Sequence, residues 1–424
     1  MAKSLIVHQS ATSIPSGEFI NVPGYQFTSA EIATEYAVTH DCTFSNLRGH
    51  ITSGGSGTNT LQVRKNAADV NLVAAGVGAG ALSDLTHNDS FVAGDLLSLS
   101  HIDTGSSPEY RHVTLNVEFD QTTGTYFRNS FGPSVVFDVP SETRFIPVTG
   151  RLAADGTATE AHAQIKLRGY SKVDAFQVRV NTNARVNDTV LKLRLNGADI
   201  TASTITIAAG TTGLFMATSI NAAIADGGLL CAAIVTGTGV EDLNLDFLGV
   251  TLLSASDATE VWAVSVAGTS RTASATPSYY VPGGGLQTRT DTTGTGIIPG
   301  FAADCTGLRI YLSANTYSAN ATLKLFVDGA DSGFTTTITA GATGWLENAV
   351  DTETITSANA ICFEVVGGTS GSITILAIGV TLEQPSGAVP PSAPTKPRRS
   401  GGGVGIGGRR RPHAWPALSV IDHN

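Results

Sequence analysis

Charge is scarce in this 424-residue sequence: Asp, Glu, Lys and Arg make up 14% of it, against about 25% in an ordinary globular chain. Methionine occurs only twice. Leu-rich stripes with Lys and Glu at helical spacing are missing, which excludes long amphipathic helices. No run reaches the roughly 18 uncharged apolar residues that a membrane-spanning helix needs, so no membrane association is expected. The opening MAKSLIVHQS lacks a basic stretch followed by a long apolar one. No secretory leader is therefore read there, and folding in the cytoplasm of the producing cell is expected. The four cysteines, Cys42, Cys231, Cys305 and Cys362, form no CxxC pair, which argues against a zinc site or a thiol redox motif. They are expected to be reduced, as small buried hydrophobes. No GxSxG, HExxH, Walker or EF-hand pattern occurs. No catalytic residue, metal ligand or cofactor can be named, and the chain is expected not to be an enzyme.

What is present is a repeat. LKLRLNGADITASTITIAAGTTG begins at Leu191, and LKLFVDGADSGFTTTITAGATG begins at Leu323. A fainter copy, LQVRKNAADVNLVAAGVG, begins at Leu61. Asn66, Asn196 and Asp328 align, as do Asp69, Asp199 and Asp331. The flanking runs repeat as well: FSNLRG, FQVRVN and LRIYLS upstream; HVTLNVEF, LDFLGVTLL and ITILAIGVTL downstream. A spacing near 130 residues is too long for a solenoid, whose period is about 20–50 residues. It is the length of a whole domain.

Each unit contains short runs in which apolar residues alternate with Thr, Ser or charge, separated by Gly, Asn and Asp. Leu191, Leu193 and Leu195 face one side of such a run, Lys192 and Arg194 the other, which is the pattern of a half-buried strand. About eight such strands per unit predict an all-β chain of three tandem antiparallel β-sandwiches, jelly-roll-like, followed by a flexible C-terminal arm. The expected divisions are 1–120, with an N-terminal arm; 121–256; 257–383; and the arm, 384–424. Each sandwich is expected to bury its own core without a partner. Units two and three should match strand for strand, with Leu191 over Leu323 and Cys231 over Cys362; unit one should fit less well. A short helical turn capped by Ser29 is read at TSAEIATEY, and TTGTYFRNSFGPS is read as a connection.

Several groupings invite chemistry. His40–Asp41, His87–Asp89 and His101–Asp103 pair imidazole with carboxylate, as metal or acid/base sites do. They have no counterparts in the other repeats, so polar turn and surface residues are favoured. Asp242, Asn244 and Asp246 alternate with Leu243, Leu245 and Phe247. Calcium uses such oxygens, but a solvated outer strand face is the preferred reading. GGGVGIGG at 401–408 follows a proline-rich run rather than a strand, so it reads as a linker and not a nucleotide loop.

The chain carries a net −10, unevenly. Residues 384–424 hold six basic residues and one acidic, a charge of +5, which leaves −15 on the rest. An acidic body repels phosphates and argues against nucleic-acid binding. The tail changes from Pro-rich to Gly-rich and then turns apolar. Arg409, Arg410 and Arg411 are suited to an acidic surface; Trp415, Leu418 and Ile421 are suited to a groove, as interface anchors. The competing readings are a solvated linker and, more weakly supported because aromatic interleaving is slight, nucleic-acid binding by the tail.

LKLRLNGADI, TITIAAGTTG and IADGGLL resemble the jelly-roll units of tailed-bacteriophage virion structural proteins. That resemblance implies a capsid decoration protein or a head or tail appendage, located in the virion after folding in the host cytoplasm. It implies partners among major capsid, portal or collar, and tail proteins, and a homo-oligomer. The alternative class is a carbohydrate-binding host-attachment adhesin, a tail fibre or spike component recognising a host-surface glycan.

Overall fold

The computed structural model describes residues 3–8, 14–20, 27–53, 56–105, 107–119, 126–132, 135–137, 141–149, 156–237, 242–254, 258–283, 286, 292 and 295–384. Met1–Gly387 form one compact unit, and Ala388–Asn424 are assigned to a second. The second lies outside the described residues, and with it most of the expected arm. Among the described residues the chain is nearly all β, in antiparallel sheets.

The first sandwich has eight principal strands. One sheet runs Lys3–His8, Glu109–Phe119, Cys42–Ser53, Gly80–Phe91. The other runs Phe19–Ile20, Leu96–Asp103, Thr58–Lys65, Ala68–Val77. Numbered along the chain, the orders are 1-8-3-6 and 2-7-4-5, the connectivity of a jelly roll. The second sandwich repeats both. Tyr126–Gly132, Leu243–Ser254, Tyr170–Asn183 and Gly213–Ala217 form its first sheet; Thr143–Ile146, Leu229–Val235, Thr189–Leu195 and Ala198–Asp199 form its second. Tyr126–Gly132 falls in a segment expected as a connection. Its Gly and Asn suit a turn, but the ladder it makes with Leu248 to Ser254 overrides that preference.

The third sandwich makes the same connections with fewer breaks. Ile361–Glu383 pairs with Ala321–Val327 through residues 361–367 and with Ala303–Asn315 through residues 373–383. It thus serves as strands 7 and 8 together. Gly367, Gly368 and Gly371, with φ of 101°, 82° and 87°, turn it from one sheet into the other. Ala258–Tyr280 does likewise for strands 1 and 2.

The repeated phrase is the hairpin between strands 4 and 5. Asn66, Asn196 and Asp328 adopt φ of 51°, 52° and 50°, the left-handed region that Asn and Asp tolerate. Each side-chain oxygen then accepts a backbone N–H from the strand beyond: Leu96 at 2.8 Å, Leu229 at 2.9 Å, Ala360 at 2.8 Å. Across the hairpin, Arg64 meets Asp69, Arg194 meets Asp199, and Lys324 meets Asp331. The phrase recurs because it closes the same hairpin three times.

Register also equates the expected positions. Leu191 faces Ile234, and Leu323 faces Val365. Cys231 faces Arg194, and Cys362 faces Phe326, each of these partners standing two residues before the turn residue Asn196 or Asp328. All four cysteines are buried and free. The helical turn is a 3-10 turn, Glu31–Ala33, whose N-cap is Ala30 with no side-chain cap, rather than Ser29.

Three apolar cores fill the sandwiches, but not independently. Phe247 of the second sandwich belongs to the first core; Trp262, Val264 and Ala377 of the third belong to the second. The expectation of self-contained cores is corrected by these exchanges.

Candidate functional site: the seams between the sandwiches

The anchoring residues expected from sequence, Arg409, Arg410, Arg411, Trp415, Leu418 and Ile421, lie outside the described residues. The histidine–carboxylate pairs are described, and members of each bond other residues. Asp41 accepts the Ala93 backbone N–H. His87 turns to Asp84 at 2.9 Å, while Asp89 accepts from Asn71 and from the Leu72 backbone. His101 is buried against the Tyr110 ring, with Nδ1 3.3 Å from the Pro15 carbonyl. Among the described residues no group of three His, Cys, Asp or Glu side chains could hold a metal ion.

Asp246 is not on a solvated face. A register shift lies between Val180/Leu245 and Arg179/Phe247, and Asp246 is the residue that falls within it. The bulge turns Phe247 to the outer face, away from Leu243 and Leu245. Burial raises the Asp246 carboxyl to about 6, against the pull of Asn181 and Arg179.

These residues belong to a seam. Residues 35–40 of the first sandwich lie on the outer face of the second sandwich's 1-8-3-6 sheet. Gln177 donates to the Ala37 carbonyl at 3.0 Å and accepts the Ala37 N–H at 3.2 Å. Arg179 reaches Glu35 at 3.2 Å. His40 Nε2 lies 3.3 Å from Asp174, and Tyr36 packs on Phe247 with ring centroids 6.1 Å apart.

The second seam repeats the geometry with stronger groups. Arg168 of the second sandwich grips Glu347 of the third with two N–H groups, at 2.9 and 2.6 Å; Lys166 joins at 2.7 Å. Burial works to raise the Glu347 carboxyl, but Arg168 and Lys166 outweigh it and hold it at about 2. Beneath them Arg309, fully buried, pairs with Glu260 and lies over the Trp262 ring at 4.4 Å. Glu260 also accepts the Arg168 backbone N–H at 2.7 Å and the Trp262 indole N–H at 3.0 Å. Burial pushes Glu260 up to about 7, with Arg309 opposing.

The third seam closes the cycle. Gly300 of the third sandwich sits so close to Asn116 of the first that an added Cβ would lie 2.8 Å from the amide nitrogen. A cleft of about 390 Å³ opens alongside, lined from both sandwiches. Each sandwich therefore offers one sheet face to its predecessor, and the third hands its edge back to the first. This is the head-to-tail arrangement of a ring, here within one chain. It is not legible in the sequence, because a polar outward residue looks the same whether it meets water or another sandwich.

No family model matches the chain, and no curated protein matches it. Among solved structures it is similar to a Paenibacillus xanthan lyase, at 10% identity over 81% of this chain and 53% of that one, TM-score 0.19. The chain thus spans about half that protein's length. It is also similar to the infectious bursal disease virus VP2 subviral particle, at 10% identity over 91% and 77% of the two chains, TM-score 0.18. At such TM-scores these likenesses assign no function. No helix of the described residues is long and apolar enough to cross a membrane.

Proposed function

We propose that this chain is a non-enzymatic virion structural protein of a tailed bacteriophage, a capsid decoration protein or a head or tail appendage. The observation that carries the reading is the closed cycle of three jelly rolls. A ring that closes uses up its own seam: each outer sheet face already receives a neighbour, so no fourth copy can add through it. Attachment and any homo-oligomer must then use other surfaces. We assign attachment to the C-terminal arm, with Arg409–Arg411 on an acidic surface and Trp415, Leu418 and Ile421 in a groove of a capsid, portal or tail protein. The test is deletion of residues 398–424. The truncated protein should stay soluble and folded yet be missing from purified particles. Normal incorporation would overturn the anchoring role. Incorporation with loss of host attachment would instead favour the adhesin.

A further inference from the structure

We propose that the cleft between the third and first sandwiches binds a small organic oxyanion, a carboxylate or phosphate carried on a molecule of monosaccharide size. The internal repeat supplies the reasoning. Arg48 faces Thr114 and Arg179 faces Phe247 across the same two strands, one hairpin-to-hairpin repeat apart, so the two arginines are equivalent. Arg179 reaches Glu35 of the preceding sandwich. The residue equivalent to Glu35 in the third sandwich is found from the next positions: Tyr36 pairs with Leu97, and Ile297 bridges Ile361. Asn66 and Asp328 bond the residues before Leu97 and Ile361, which fixes that match. The place of Glu35 is therefore held by Gly296. A carboxylate that the fold uses at one seam is missing at another, and the cleft stands where it would be.

The groups left behind are those an anion needs. Arg48, His50, Ser83 and His112 line the cleft from the first sandwich; Thr292 and Gly296 line it from the third. Arg48 makes no ion pair among the described residues, and its Nε is buried without a hydrogen-bond partner. His112 is only 7% exposed, and its Nδ1 has no partner either. Buried polar atoms left unpaired are costly, and a ligand that pairs them recovers that cost; the Arg48 Nε is a donor in every state, and the His112 Nδ1 is one in the tautomer that an anion would select. His50 stacks on His112, with ring centroids 5.8 Å apart at 19°. Asp328 also lines the cleft, but its carboxylate is taken by the Ala360 N–H and the Asn359 amide, just ahead of the strand beyond its hairpin. The chain cannot easily restore the carboxylate itself, since a Cβ on Gly296 would lie 2.9 Å from the Ala360 Cβ. The volume is in the range of about 300–1,000 Å³ that holds small organic ligands.

The experiment titrates glucuronate, glucose 6-phosphate and neutral glucose into the full chain at constant ionic strength, following the His50 and His112 imidazole resonances. Saturable shifts with at least one of the two anions and none with glucose are expected; which anion binds more tightly distinguishes carboxylate from phosphate. Arg48→Gln should weaken binding at least tenfold. Ser83→Glu places a negative charge at the exposed mouth and should also weaken it, in a protein whose core is untouched. The proposal is overturned if neither anion gives a saturable shift, if glucose shifts the resonances equally, or if binding survives both substitutions.

Discussion

Among the described residues, one ion pair is more deeply buried than the rest. Arg309 and the Glu260 side chain are 0% and 2% exposed. Glu260→Ala would strand the guanidinium beneath Trp262, and a cost of about 3–5 kcal/mol is expected. Replacing both, as Glu260→Leu with Arg309→Met, should recover part of it, because a buried pair can give way to apolar groups of similar size, while the Arg168 and Trp262 N–H groups lose their acceptor. Urea denaturation midpoints read both changes, and a loss under about 1 kcal/mol for Glu260→Ala would show that Arg309 is not trapped. At this scale the sequence is legible where a residue acts on its own hairpin. Asn66, Asn196 and Asp328 align in the three copies, and the structure gives them one φ and one bond. Glu35 and Glu347 are invisible in the sequence, because their charged partners lie on another sandwich, far along the chain; Glu260 is hidden too, because Arg309 lies two strands away on its own sandwich.

Strands are readable where side chains alternate between core and surface, as in Thr189–Leu195 and Thr58–Lys65. Two features escape. The bulge at Asp246 breaks the alternation, so Phe247 leaves the face that Leu243 and Leu245 occupy. The glycine corner in Ile361–Glu383 fuses two strands that the other repeats keep apart. There, a Cβ on Gly371 would lie 2.1 Å from the Thr316 carbonyl oxygen, while one on Gly341, φ 73°, would meet open space. Gly341→Ala should cost about 1–2 kcal/mol for left-handed backbone alone. Gly371→Ala should cost about 1–3 kcal/mol more, from crowding. Thermal unfolding of the two variants compares them, and equal losses would mean that the corner is not a tight one.

The seams make the whole body sensitive to acid. Burial lowers the His112 imidazole from 6.5 to about 3. The folded state therefore prefers it neutral, while the unfolded chain takes up a proton. This contribution is complete above pH 6.5 and is lost as the pH falls towards about 3. Glu347, lowered from 4.5 to about 2, adds a second loss between those values. Asp246 and Glu260, raised by burial, act in the opposite sense. The urea midpoint of wild type minus that of His112→Asn isolates the imidazole, and the difference should shrink as pH falls through this window. A constant difference would refute it. The three-sandwich plan is legible from the repeat; the cycle is not, because nothing in a strand's alternation says what its outer face meets. Joining the copies in one chain has a further consequence. In a trimer of identical subunits every substitution is made three times, so no contact can change alone. Here each contact is encoded separately, and a glycine can stand at one of them while its counterpart keeps a glutamate. The molecule retains the economy of threefold construction and is free to give each of its three joints a different task.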